Sequence, residues 1–171
     1  DPGTDITNDT LFINADSFTP VDSTFMTTGA IVSVKETPFD FTTPTTVGER
    51  INTEGNVQLA NGHGYDHNWV LRESNDITTV AAKVISPVTG IVLEILTDQP
   101  GIQVYTGNFL DGTVTGKKGI TYQKRAAICL ETQVYPDSPN KCLKSEQWPS
   151  PYLEQGQTYK HHTIFRFSVN K

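Results

Sequence analysis

The chain has 171 residues, 36% hydrophobic and 19% charged, with a formal net charge of -6. This is enough chain to bury a core in a single domain over residues 1–171, and no apolar run approaches the length of a bilayer span. Phosphate binding calls for a basic stripe that this composition lacks, so neither nucleic acid nor a membrane is an expected partner, and a neutral ligand suits the surface better.

The opening Asp1-Pro2-Gly3-Thr4 has no initiator methionine, basic n-region or apolar h-region. Position 1 therefore reads as lying inside a longer protein, with its cellular location not legible. After it, short β-runs alternate with Gly, Pro, Asn and Asp turns. Leu11-Phe12-Ile13 and Ile31-Val32-Ser33-Val34 are the first candidates, and Thr46 to Ile51 offers at best one helical turn. A Gly-rich turn at Asn61-Gly62-His63-Gly64 leads into a strand at His67 to Leu71. Thr79 to Ile85 and Ile91 to Leu96 flank Ser86-Pro87-Val88-Thr89-Gly90, a tight connection that predicts an antiparallel hairpin. Strands follow at Ile102 to Tyr105, Ala127 to Val134 and Thr163 to Val169. The last puts Phe165, Phe167 and Val169 on one face and Ile164, Arg166 and Ser168 on the other. No segment keeps helical spacing over three turns, so the expected fold is an all-β antiparallel sandwich.

Three stretches could carry chemistry. In Ala127 to Gln133, alternation sends Ile128 and Leu130 to the core and Cys129, Glu131 and Gln133 to the other face. Glu131 then reads either as a solvated carboxylate or as a site residue, and the rigid Tyr135-Pro136-Asp137-Ser138-Pro139-Asn140 turn behind it suits the rim of a ligand site. Gly62-His63-Gly64-Tyr65-Asp66-His67-Asn68-Trp69 is rich in carboxylate, amide and aromatic groups, which suits sugar hydroxyls and C–H faces but equally a plain turn with an Asx bend at Asp66. In Ile102-Gln103-Val104-Tyr105, the amide and phenol share one face, as they do on many exposed strands.

Other chemistries fit poorly. Glycines around His63 and His67 disfavour a helical metal pair, and His161-His162 at a strand mouth should point to opposite faces. Cys129 and Cys142 are too few for a disulfide framework and read as free thiols. No P-loop, GxSxG elbow or dinucleotide fingerprint occurs.

Taken in order, the motifs resemble the aldose 1-epimerase (galactose mutarotase) family. They are Pro20-Val21-Asp22 with Thr28-Gly29, Thr37-Pro38-Phe39-Asp40-Phe41 with Gly48, Gly64-Tyr65-Asp66-His67-Asn68, and Gln99-Pro100-Gly101-Ile102-Gln103-Val104-Tyr105-Thr106-Gly107-Asn108. Cys129-Leu130-Glu131-Thr132-Gln133 with Pro136-Asp137-Ser138-Pro139-Asn140 completes the set, closed by Gly156, Tyr159 and the terminal strand. The resemblance implies the C-terminal half of a mutarotase-like supersandwich that interconverts the α and β anomers of free hexoses, with no cofactor and no metal. It implies Glu131 as the base, desolvated in a sugar pocket, with Asp66, Gln103 and, less directly, Tyr105 as sugar-binding residues. The family's NHxYFN-like motif with its catalytic histidine, an earlier histidine and an arginine have no counterpart here, and none of His63, His67, His161 or His162 aligns with them. The isolated chain is therefore expected to turn over little or no aldose, and its exposed edges to seek the missing N-terminal half or a second copy. A carbohydrate-binding module without catalysis and an inactive structural fragment are the competing readings.

Overall fold

The computed structural model describes residues 5–72 and 76–170. Its strands are β1 (Thr10–Ile13), β2 (Ala15–Thr19), β3 (Val32–Ser33), β4 (Thr45–Thr46) and β5 (Asp66–Leu71), then β6 (Asp76–Ile85), β7 (Ile91–Thr97), β8 (Gly101–Tyr105), β9 (Cys129–Gln133) and β10 (Thr163–Val169). They pair antiparallel into two sheets, ordered β10-β7-β6-β1-β4 and β3-β2-β5-β8-β9. Leu11, Ile13, Ala82 and Ile95 from the first sheet and Phe18, Trp69, Ile102, Val104 and Leu130 from the second meet in one buried cluster. This is the expected antiparallel sandwich, each strand sending alternate residues between the layers.

The chain crosses between sheets at Asn14. Its amide donates to the Ala81 carbonyl (2.8 Å) on one side, and its carbonyl accepts from the Arg72 amide (3.0 Å) on the other. Phe39 and Phe41 plug the core from a loop: Phe39 stacks on Phe18 (centroids 4.3 Å apart) and its carbonyl accepts from the Trp69 indole N–H at 3.0 Å. An aromatic packed with its N–H satisfied is the arrangement a buried Trp requires.

The β6–β7 hairpin forms as the turn residues predict, extended by a few residues at its open end. Two short helices, α1 (Val57–Asn61) and α2 (Ser138–Lys141), were not legible from periodicity. The side-chain oxygen of Asn56 caps α1 by accepting from the amides of Gln58 and Leu59. At the edge of its sheet, β10 hydrogen-bonds to β7 along one side only and exposes Ile164, Phe165, Phe167 and Val169. His161 and His162, just before β10, do not diverge: both rings meet Asp98, with Nδ1 to carboxylate distances of 3.0 and 3.3 Å. Strand alternation does not apply to them because β10 begins only at Thr163.

Candidate functional site

The outer face of the second sheet carries the site. In β5, His67, Trp69 and Leu71 enter the core, so Asp66 and Asn68 face out; in β8 the same parity turns out Gln103 and Tyr105, and in β9 it turns out Cys129, Glu131 and Gln133. Register then aligns them: Asn68, Gln103 and Glu131 lie in one cross-strand row, with Asp66, Tyr105 and Cys129 in the next. Asp66, Gln103, Tyr105 and Glu131, all anticipated from sequence, thus line one open cavity of about 330 Å³, with Pro136 of the following turn on its border. That size falls within the range of small-molecule sites.

A chain of amides runs across the floor. Gln103 Nε2 donates to Asp66 Oδ1 at 2.7 Å, and Gln133 Nε2 lies 3.3 Å from Gln103 Oε1 and 3.2 Å from Asn68 Oδ1. An ionised carboxylate only accepts, so Asp66 requires the NH₂ end of Gln103, which fixes Gln133 and Asn68 in turn. Burial raises the pKa of Asp66, and the Gln103 bond offsets part of that rise.

Next to this chain, Asn68 Nδ2 and the Thr19 hydroxyl have no hydrogen-bond partner, although their residues are 1% and 0% exposed. Thr19 and Asn68 are direct cross-strand neighbours, and both line the cavity. Buried polar atoms left unpaired cost about 1–3 kcal/mol. Thr19 did not stand out in the sequence and Asn68 did so only as part of its motif, since their pairing depends on the β2–β5 register.

Glu131 is not enclosed: it is exposed on β9, the last strand of its sheet, where no further strand covers one flank. The desolvated pocket expected for it is therefore not formed by the described residues. His67 lies behind the floor. Its ring packs edge-on against Phe39 (4.7 Å), Nδ1 accepts from the Asp66 amide at 3.1 Å, and burial lowers its pKa to about 3. A histidine so held is neutral and faces away from the cavity.

Arg125 ties the surrounding loops together from a buried position that the sequence did not flag. It donates to the Thr106 hydroxyl (2.9 Å), the side-chain oxygen of Asn108 and the His63 carbonyl (3.0 Å), while Asn108 Nδ2 donates to the Gly62 and Tyr65 carbonyls. Gly64 is required here: at φ +135° it leaves the Arg125 guanidinium the space that a Cβ would occupy at 2.3 Å.

Comparison with known proteins gives the family of the chain and its fold. The family model for aldose 1-epimerase matches residues 2–166. Galactose mutarotase of Mus musculus is 44% identical over 157 residues, covering 92% of this chain and 43% of the relative. Aldose 1-epimerase of Escherichia coli (strain K12) is 32% identical over 165 residues, covering 95% and 46%. A crystal structure of a GalM/aldose epimerase homologue from C. elegans superposes with a TM-score of 0.85 at 29% identity, over 100% of this chain and 49% of that one. The chain spans under half the length of these relatives, and on the strength of the family match it belongs to the aldose 1-epimerase family.

Proposed function

We propose that the cavity on the second sheet binds a free aldopyranose and supplies the base for its anomer exchange. The observation that carries this reading is the convergence of Asp66, Gln103, Tyr105 and Glu131 on one cavity, with Gln103 Nε2 donating to Asp66 Oδ1 at 2.7 Å. Sugar hydroxyls both donate and accept, so one ring can complete the donor and acceptor positions together. In the proposed step Glu131 takes the proton from O1, the C1–O5 bond breaks as O5 gains a proton, and the C1–C2 bond of the open aldehyde rotates before closure. Asp66 and Gln103 hold hydroxyls and Tyr105 borders the ring, which turns an encounter into a positioned reaction.

No histidine is among the residues lining the cavity. The proton for O5 is therefore assigned to a group outside this chain, in the part of the relatives' length that the chain does not span. We assign the same part as the cover of β10. A positioned general acid contributes about 10²–10⁴-fold, so the 171-residue chain alone is expected to exchange anomers little or not at all. Polarimetry of freshly dissolved α-D-glucose and α-D-galactose, with and without the N-terminal half of a relative, tests this. Full activity from the isolated chain would refute the assignment of the acid. Sugar binding by the unsubstituted chain, with no exchange even after complementation, would favour the binding-module reading instead.

A further inference from the structure

Arg125 carries a buried charge that the anomer chemistry above does not use. The residue is 7% exposed, and its hydrogen bonds all go to neutral oxygens: the Thr106 hydroxyl (2.9 Å), the Asn108 side-chain oxygen and the His63 carbonyl (3.0 Å). Nη1 makes the first two bonds and Nη2 the third, so Nε–H and one hydrogen of Nη2 remain unused. Nε is unbonded yet not sealed from solvent. Among the described residues no ion pair includes this guanidinium. Asp5, whose charge favours that of Arg125, is exposed and beyond ion-pair distance. Buried cations are ordinarily paired, because the water they give up must be replaced by something of opposite charge.

Arg125 borders a second cavity, of about 430 Å³, which shares no lining residue with the cavity on the second sheet. One wall is the 51–57 loop with the start of α1, and buried Ile51 and Leu59 give that wall an apolar base. The other wall holds Lys124 and Arg125 side by side. Gly64 lies between them and α1, and a Cβ there would collide with both terminal nitrogens of Arg125, so the charged end of the side chain sits at this border. Lys124 is exposed and makes no hydrogen bond or ion pair among the described residues. Glu54 opposes the two cations from the loop, but it too is exposed and water screens it.

We propose that this second cavity binds a small phosphate monoester, with the phosphate on Arg125 and Lys124 and the organic part against Ile51 and Leu59. A guanidinium offers N–H groups spaced for phosphate oxygens, and the lysine adds a mobile point charge. Two cations on one group favour a dianion over a carboxylate, and a phosphomonoester carries a charge of about −1.5 to −2 near neutral pH. The cavity is larger than inorganic phosphate needs, which leaves room for a body of a few carbons. None of this depends on the aldose reading of the first cavity.

Titration calorimetry on the full chain with glycerol 3-phosphate, inorganic phosphate and acetate, at matched ionic strength, tests the proposal. The ester should bind more tightly than inorganic phosphate, and acetate more weakly than either. Lys124→Gln should weaken the ester about fivefold, and Glu54→Gln should tighten it about twofold, as expected for partly screened charges. Both side chains are exposed, so both variants should keep the parent's urea midpoint, which separates lost binding from lost folding. Arg125→Met is less decisive, because it also cuts the ties to Thr106, Asn108 and His63. No binding of the ester, an ester no tighter than acetate, or an affinity unmoved by Lys124→Gln overturns the site.

Discussion

Lowering the pH from 7 toward 5 should weaken the fold through His67, in a way that needs no ligand to detect. The ring is fully buried, packed edge-on against Phe39 and Phe18 (4.7 and 5.9 Å), and its pKa is held at about 3 against an ordinary 6.5. Unfolding frees the imidazole to take a proton wherever the pH lies below 6.5. The unfolded state therefore binds more protons between about 3 and 6.5, and stability present above that window is lost as pH falls through it. Each unit is about 1.4 kcal/mol, so at pH 5 this one residue should remove about 2 kcal/mol. Asp66, whose raised pKa acts in the opposite sense, is common to parent and variant. Urea unfolding followed by tryptophan fluorescence near pH 7 and pH 5 measures the loss. His67→Asn keeps an acceptor for the Asp66 amide and removes the titration. The parent should lose about 2 kcal/mol more than the variant between the two pH values, and parallel pH profiles would refute the reasoning.

Four further outcomes follow from the geometry. In the complemented protein, Glu131→Gln should slow anomer exchange by about 100-fold or more while sugar affinity persists, read by polarimetry and calorimetry. Thr19→Val removes the unpartnered buried hydroxyl, so the chain should gain about 1 kcal/mol in a thermal melt. Gly101→Ala places a Cβ 2.5 Å from Asn68 Oδ1 and 2.9 Å from the Tyr135 ring, which should destabilise the chain by about 1–3 kcal/mol in urea unfolding. Phe167→Lys on the open strand β10 should reduce self-association in light scattering, because charge on an exposed apolar edge strand opposes pairing.

Much of the sandwich was legible because its strands follow their own period. The β6–β7 hairpin has β-branched runs on both sides of a Pro-Gly turn, and alternation in β8 and β9 correctly put Gln103, Tyr105 and Glu131 on a common type of face. That these faces converge depends on strand order, which no single strand encodes. β2 was missed because Ala15-Asp16-Ser17-Phe18-Thr19 has a single large apolar residue, and its pairing to β5 and β3 makes it a strand. α1 is too short for periodicity and is set by the cap at Asn56. The neighbourhood of Thr19 and Asn68 follows only from register. The exposure of Glu131 follows from the edge position of β9, which a strand's own pattern does not reveal.

One carboxylate dictates the hydrogen-bonding sense of the whole cavity floor. With Asp66 ionised, every amide behind it has a single allowed orientation, and the floor shows an acceptor at one end and a donor at the other. Exchanging that carboxylate for a carboxamide would remove more than a charge: Gln103 could turn over, Gln133 and Asn68 could follow, and the surface would become a mixture of two mirror-sense patterns. On the proposed aldose reading, selection among sugars differing only in the configuration of one hydroxyl would then fade together, at every position the floor contacts, instead of at the one carbon nearest residue 66.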